Sequence, residues 1–230
     1  MLWVNWKGID SRKIQGLMIT TLPPIKQAKM RTLEETIDGK DGSTITELGF
    51  ESYDFQVGIG LFGKYNVDDI IGYFSGSGYL IKSDEPDKKY ICQVIESVDY
   101  ERFIRFRTAN ITFRVQPFKY AVDNIKTYNI ATADEAIEVR NYGNYISKPK
   151  ITLYGNGNVD LYINGVRTTA LTINGNITID SKEQECTSNG NLANRNMSGY
   201  FPELKKGKNT IQFTQGLITK IVIEDASRWR

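Results

Sequence analysis

The sequence predicts a mainly β protein that folds as two domains. Apolar and polar residues alternate along most of the chain, turns rich in glycine separate these runs, and only one segment has helical spacing. Alternation with a period of two turns one apolar face of a strand inward. At 230 residues the chain has enough material for two cores. We place the boundary near residue 126, which gives domains of residues 1–126 and 127–230.

Three segments in the first domain are predicted as strands. Tyr53 to Leu61 places an apolar side chain at every second position, and Ile111 to Val115 repeats the pattern. Leu33 to Ile37 leads into a turn at residues 38–42, whose glycines permit positive φ. These segments indicate a β-sandwich-like domain with β-hairpin arms.

The middle of this domain is predicted to contain a turn and two further strands. The acidic segment from Asp84 to Lys89 indicates an exposed turn before a strand from Tyr90 to Val98. A second strand, Phe103 to Phe106, follows a polar connection. Arg105 and Arg107 would then share one strand face, where they could line a pore, meet acidic groups on a neighbouring molecule, or pair with local carboxylates in solvent.

One short helix is predicted between these strands. Asn66 is a suitable N-cap, and two aspartates follow it in the first turn, where the helix dipole favours negative charge. Gly76 can end the helix. The apolar stripe that would face the core consists of Val67, Ile70, Ile71 and Phe74.

The second domain is predicted to be an antiparallel β-sandwich of short strands. Val159 to Ile163 leads to Asn164-Gly165, a strong signal for a two-residue hairpin turn. A second pair, Asn174-Gly175, is also interpreted as a turn. Frequent turns between short strands are typical of a sandwich. Residues 119–127 are polar and without a strong period, and they are interpreted as the connection between the domains.

The composition narrows the possible chemistry. The chain contains no histidine, which removes Ser-His-Asp and Cys-His arrangements and His-ligated zinc. Cys92 and Cys186 share no motif and are interpreted as small buried side chains in a reducing compartment. The net charge of +2 predicts no general attraction to nucleic acid or anionic membranes. We expect no cofactor and no metal.

Neither a signal peptide nor a membrane span is expected. The first residues lack a long apolar core, and no run approaches the roughly 20 apolar residues that cross a bilayer. We therefore expect synthesis in the cytoplasm and no membrane partner.

Two other functions remain open from the residues alone. A glycosidase needs two carboxylates that face each other across a cleft, and the acidic clusters of the chain are Glu34 with Glu35, and Asp84, Glu85 and Asp87 around Pro86. A carbohydrate-binding module needs aromatic side chains that stack on sugar rings, and the candidates are Tyr154, Tyr162 and Tyr200. Strand and turn chemistry explains the carboxylates, and sheet packing explains the tyrosines.

Short motifs occur in a fixed order along nearly the whole chain. In the first half they are Trp6-Lys7-Gly8-Ile9-Asp10-Ser11, Leu22-Pro23-Pro24, Gly78-Tyr79-Leu80-Ile81 and Phe113-Arg114-Val115-Gln116-Pro117-Phe118. In the second half they are Asn141-Tyr142-Gly143 followed by Ser147-Lys148-Pro149, Ile179-Asp180-Ser181 and Leu204-Lys205-Lys206-Gly207-Lys208-Asn209. Their order and spacing resemble the distal tail proteins of siphophages, the bacteriophages with long, non-contractile tails.

The resemblance implies a structural protein of the virion tail tip and not an enzyme. Its N-terminal domains would form a homohexameric ring, with a galectin-like C-terminal sandwich on the outside. The ring would join the tail tube protein above to the tail-associated hub or lysin protein below. Phage DNA would pass through its lumen.

A closed ring needs two different contact patches on each subunit. We expect residues 26–37 and 51–62 to form the belt of the ring, because they are long segments with polar side chains on both faces. The expected interface residues are Lys29, Arg31, Glu34, Glu35, Tyr53 and Phe55. Arg105 and Arg107 are candidates for the lumen.

Overall fold

The computed structural model describes residues 1–96, 100–130, 136–214 and 217–230. The chain forms two compact units, residues 1–122 with Arg230 and residues 123–229, so the division falls slightly before residue 126. With 61% strand and 9% helix, the mainly β fold class is confirmed. In the described part of the chain, no helix is long and apolar enough to cross a membrane.

In its described residues, the first unit contains nine strands and two α-helices. The strands are β1 (Val4–Trp6), β2 (Ile9–Asp10), β3 (Leu17–Thr21), β4 (Met30–Thr36), β5 (Ser43–Phe50), β6 (Tyr53–Leu61), β7 (Ser77–Lys82), β8 (Glu85–Val94) and β9 (Thr108–Ala121). The helices are α1 (Val67–Tyr73) and α2 (Tyr100–Phe106).

The main sheet of the first unit is antiparallel and runs in the order β2-β1-β7-β8-β9-β6-β3. The predicted strands Tyr53 to Leu61 and Ile111 to Val115 are confirmed, and they pair with each other as parts of β6 and β9. Their alternating apolar side chains enter one core, where Trp6 and Phe113 meet edge to face with ring centroids 5.2 Å apart.

The predicted helix is confirmed as α1. The Asn66 side chain accepts a hydrogen bond from the Asp68 backbone N–H at 3.1 Å, which is the expected N-cap. Ile70 and Phe74 are buried in the core, and Val67 packs against it. The helix covers the core because its apolar positions recur at helical spacing.

The strand predicted at Phe103 to Phe106 is wrong, because these residues belong to α2. Arg105 therefore lies in the last turn of a helix, and Arg107 follows it with a left-handed φ of 58°. Phe103 is fully buried and fixes the helix to the core. The strand predicted to end at Val98 ends at Val94, and part of the polar connection, residues 97–99, lies outside the described residues.

Two further expectations for this unit are corrected. The exposed turn at residues 84–89 is shorter than expected, because β8 begins at Glu85, whose side chain is buried. The connection expected at residues 119–127 is also shorter, because β9 continues through Pro117 to Ala121 and a new strand begins at Ile125. The register of β8 and β9 shifts close to Pro117, which is where a sheet tolerates proline.

Ten strands are present in the described residues of the second unit. They are β10 (Ile125–Asn129), β11 (Ile137–Asn141), β12 (Lys150–Ile163), β13 (Val166–Asp180), β14 (Glu185–Ser188), β15 (Asn191–Leu192), β16 (Met197–Gly199), β17 (Gly207–Thr214), β18 (Leu217–Glu224) and β19 (Arg228–Trp229).

The long hairpin of β12 and β13 belongs to two layers of this unit. The first half of β12 pairs with β18, and its second half pairs with β17. Likewise, one end of β13 pairs with β16 and the other with β14. The inward side chains of both halves enclose one core, which contains Ile151, Leu153, Leu161, Ile177, Ile179, Ile211 and Ile221.

One of the two Asn-Gly turns is confirmed. Asn164 and Gly165, with φ of 54° and 76°, form the two-residue turn between β12 and β13. The turn predicted at Asn174-Gly175 is wrong, because Gly175 pairs with Gly155 inside the continuous hairpin. A Cβ atom at Gly155 would lie 1.9 Å from the Leu217 carbonyl oxygen, so this glycine permits the close approach of β18.

Candidate assembly surfaces

The first candidate surface is a β-hairpin, which we term the arm (residues 30–50). In the described part of the chain, β4 and β5 pair only with each other. The strand predicted at Leu33 to Ile37 is confirmed as far as Thr36, where β4 ends, and the turn predicted at residues 38–42 is confirmed. A two-stranded hairpin is marginally stable alone in water, so an arm of this kind gains stability from a partner.

The arm is exposed on both faces and carries apolar side chains on each. Leu33, 46% exposed, lies opposite Thr46 on one face, and Ile45, 63% exposed, lies opposite Glu34 on the other. Residues that lie directly opposite each other in a hairpin share a face. The arm thus presents apolar surface in two directions.

The arm is also acidic. It has two basic and five acidic side chains, a net charge of −3: Arg31, Lys40, Glu34, Glu35, Asp38, Asp41 and Glu47. The Arg31 guanidinium donates to the Leu48 carbonyl oxygen at 3.1 Å, and Glu34 accepts a hydrogen bond from the Ser43 hydroxyl. The other carboxylates, at the surface of the hairpin, favour contact with a basic surface.

Only the base of the arm is fixed to the rest of the unit. Phe50 meets Phe118 of β9 edge to face, with ring centroids 5.4 Å apart, and the Arg230 guanidinium lies 4.9 Å from the Phe50 ring. The Glu51 backbone N–H donates to the Lys29 carbonyl oxygen at 2.9 Å. These contacts hold the two ends of the hairpin together and leave its strands exposed.

The expected interface residues fall into two groups. Lys29, Arg31, Glu34 and Glu35 are exposed on or beside the arm, as a contact with a neighbour requires. Phe55, by contrast, is only 4% exposed and packs in the core of the first unit, and Tyr53 packs against the same core. We therefore remove Phe55 from the expected interface, because its burial leaves almost no surface for a neighbour.

The second candidate surface surrounds α2, and we term it the basic patch (Arg102, Ile104, Arg105, Phe106 and Arg107). All five side chains are exposed, and the Arg105 guanidinium lies 5.5 Å from the Phe106 ring. The Arg107 carbonyl oxygen accepts a hydrogen bond from the Leu61 N–H at 2.9 Å, which fixes the end of α2 to β6. The patch combines positive charge with exposed apolar surface, a combination typical of interfaces.

An open groove of about 620 Å³ separates α2 from the neighbouring strands. Phe103 and Phe106 line it on the helix side, and Thr20 and Thr21 of β3 line it on the other. Glu96 also lines the groove, where its carboxylate accepts a hydrogen bond from the Thr112 hydroxyl. β3 is the last strand of the sheet order, so one side of its backbone faces away from the sheet.

A buried charge cluster in the first unit was not found from the sequence. The Lys119 ammonium of β9 donates to the Glu85 carboxylate at 2.9 Å, Lys88 donates to it at 3.2 Å, and the Tyr90 hydroxyl donates to it as well. Burial alone raises the pKa of Glu85, but the hydrogen bonds from Tyr90 and Lys119 outweigh it and hold that pKa at about 2. The cluster joins β8 to β9, and its buried carboxylate accepts hydrogen bonds from three side chains, as a structural ion pair does.

The other candidates from the sequence are the carboxylates of a glycosidase and the tyrosines of a sugar-binding site. Glu34 and Glu35 lie on the arm and not in a cleft. Tyr154 is half-buried beneath the Lys220 ammonium, 4.0 Å from the centre of its ring, and Tyr162 is half-buried in β12. Tyr200, 81% exposed, lines a groove of about 710 Å³ in the second unit.

Both cysteines are free and buried, which confirms their interpretation as small core side chains. Burial raises the pKa of the Cys92 thiol to about 12 and also raises that of Cys186. Among the residues that the structure describes, no group of His, Cys, Asp or Glu side chains is arranged to hold a metal ion.

Two solved structures share this fold over the whole chain. The crystal structure of the SPP1 Dit (gp 19.1) protein, described as a paradigm of the hub adsorption apparatus in phages that infect Gram-positive bacteria, covers 100% of both chains with a TM-score of 0.63 and 17% identity. The chain has the fold of a phage hub protein. The phage P2 baseplate in its activated conformation with Ca covers 100% of this chain and 98% of that chain, with a TM-score of 0.54 and 10% identity.

These likenesses confirm, at the level of the fold, the resemblance to distal tail proteins inferred from the sequence. No family model and no curated protein matches the sequence. The likeness therefore lies in the three-dimensional fold, at sequence identities of 17% and 10%.

Proposed function

We propose that this chain is a structural subunit of the distal end of a long, non-contractile phage tail. Six copies form a ring through their first units, with the second units outside. The ring joins the tail tube to the hub or lysin protein of the tip and lets DNA pass through its lumen. The protein works by assembly and catalyses no reaction.

The observation that carries this proposal is the arm. A hairpin that exposes apolar side chains on both faces, and whose outer backbone edges have no partner in its own sheet, is suited to contact another chain. The likeness in fold to a phage hub protein and to a phage baseplate supports a role for such a contact in the assembly of a phage tail tip. Each subunit then needs a different surface to receive the arm of its neighbour, as in any closed ring.

The test is a direct measurement of assembly. Native mass spectrometry and negative-stain imaging of the purified protein should give six copies in an annulus, and antibody labelling of particles should place the protein at the tail tip. Finding only single copies, both in the purified protein and in virus particles, would reject the ring. Labelling elsewhere on the particle would reject the location.

Glycan recognition is the second candidate function, and one observation favours it. Tyr200 presents its ring to solvent beside a groove that Arg167 and Glu203 also line, a combination of aromatic and polar groups that suits a sugar. Saturable binding to host cell-wall glycans in isothermal titration, lost in Tyr200→Ala and kept in Tyr154→Ala, would support this function. No binding to any glycan by the native protein would exclude it.

A further inference from the structure

We propose that the arm of one subunit docks on the basic patch and the β3 edge of a second copy of this chain. The inference rests on the proposed ring and specifies its contact. Each subunit would donate one acidic hairpin and receive one, so that the contact runs head to tail around the ring.

Charge favours this pairing. The arm has a net charge of −3, whereas α2 and the residue after it contribute three arginines against one glutamate, Glu101. Glu35 and Glu47 are exposed on the arm, and Arg105 and Arg107 are exposed on the patch. Opposite charges across an interface guide association and fix the register of the partners. Glu96 is an acidic residue that lines the groove, and its carboxylate accepts a hydrogen bond from Thr112 of its own chain.

Apolar surface favours the same pairing. Ile104 and Phe106 are 48% and 59% exposed on the patch, and Phe62, 49% exposed, follows β6 next to the backbone of Arg107. The arm presents Leu33 and Ile45, which are similarly exposed. The groove beside α2, at about 620 Å³, is large enough for several aliphatic side chains. Burial of these side chains between two chains would remove apolar surface from water and so stabilise the contact.

The open backbone edges of β3 and β4 also favour this pairing. β3 ends the main sheet with five residues, and β4 offers seven residues in a hairpin whose outer edge is open. Addition of a strand to an open edge satisfies backbone donors and acceptors on both chains. Within one chain the arm and the main sheet do not pair in the described residues, so both edges stay available to a second copy.

Charge reversal tests the contact. Glu34→Lys with Glu35→Lys gives a subunit whose arm and patch are both basic, and Arg105→Glu with Arg107→Glu gives one whose arm and patch are both acidic. Each variant alone should assemble at least roughly a hundredfold more weakly than the native chain, because like charges then face each other. A one-to-one mixture should form rings again with the two variants alternating, which an even number of subunits allows.

Two control variants and the melting temperatures separate this effect from unfolding and from a change of charge elsewhere on the surface. Glu185→Lys and Lys13→Glu reverse exposed charges outside both surfaces and should assemble like the native chain. The four altered residues are exposed, so the melting temperatures of the variants should match that of the native protein.

Cysteine cross-linking then identifies the neighbours. Glu35→Cys and Arg105→Cys, made in separate chains and mixed, should give a covalent dimer with a short bifunctional maleimide, while the buried native cysteines stay unreactive. Rings in the native protein together with rings in both charge-reversed variants, and no cross-linked dimer, would overturn the docking while leaving the proposed function intact. A native chain that stays a single copy in solution and in particles would overturn both.

Discussion

Lys119 and Glu85 form an ion pair in the interior of the first unit, with 2.9 Å between the ammonium nitrogen and a carboxylate oxygen and less than 10% of either side chain exposed. The pair ties the start of β8 to the end of β9, and Lys82, 1% exposed, lies nearby with its nitrogen 4.0 Å from the same carboxylate. One buried carboxylate therefore balances more than one ammonium group. Loss of its charge leaves the buried Lys119 without its carboxylate partner, whereas Lys82 keeps Asp84, 3.2 Å from its nitrogen.

Glu85→Gln should therefore destabilise the first unit by about 3 kcal/mol, because the isosteric amide keeps the shape but not the charge. The free energy of unfolding from urea denaturation measures this effect. Asp54→Asn is the matched control, since the Asp54–Arg114 pair is largely exposed and should contribute less than about 1 kcal/mol. Equal losses in the two variants would contradict the role given to the buried cluster.

Stability should also fall in acid through Glu85. Its pKa is about 2 in the folded protein and near 4.5 without these contacts. The carboxylate is therefore ionised in the folded protein at pH values at which it is protonated in the unfolded chain. The resulting stabilisation is complete above pH 4.5 and is lost as the pH falls from 4.5 toward 2. Melting temperatures of the native chain and of Glu85→Gln should therefore converge over that range. A difference that stays constant down to pH 2.5 would show that the carboxylate is not the source.

Gly155→Ala should destabilise the second unit by about 2 kcal/mol or more, because the new methyl group would press on the backbone of β18. Gly72→Ala in α1 is the control, since nothing lies within 4 Å of a Cβ atom there. Alanine is the better residue in a helix, so that change should be neutral or stabilising by up to about 1 kcal/mol. Scanning calorimetry measures both variants, and an unchanged transition for Gly155→Ala would show that β18 can move away.

Neither cysteine should react with a thiol reagent in the folded protein at pH 8. Burial raises the pKa of both thiols, so the reactive thiolate is scarce, and the side chains are shielded from the reagent. Absorbance with 5,5′-dithiobis(2-nitrobenzoic acid) should show both thiols only after denaturant is added. Rapid reaction of one thiol in the native protein would mean that its core opens, and it would also compromise the cross-linking experiment.

Features set by local chemistry were predictable from the sequence. Asn66 caps α1, and Asn164-Gly165 turns the long hairpin, because a capping side chain and a left-handed turn each depend on a few neighbouring residues. Alternation over nine residues identified β6 in the same way.

Features decided by distant partners were not predictable. Asn174-Gly175 has the composition of a turn, yet Gly155 across the sheet accommodates it within the strand. Phe103 to Phe106 is too short for its period to separate strand from helix, although the spacing of Glu101 and Arg105 by four positions was an available helical signal. Glu85 meets Lys119 from 34 positions away, which only the folded sheet brings together.

The expected interface residues also divide into those whose exposure was predictable from the sequence and those whose exposure was not. The exposed charges of Arg31, Glu34 and Glu35 followed from a strand with polar side chains on both sides. The burial of Phe55 in its own core could not be predicted, because a single alternating strand does not reveal whether its apolar face meets its own core or another chain.

The shared membership of β12 and β13 in both layers has a consequence for the second unit. Separation of one layer from the other would disrupt β12 and β13, because both strands continue from one layer into the other. We therefore expect the second unit to unfold in one cooperative transition and to resist deformation of either layer alone.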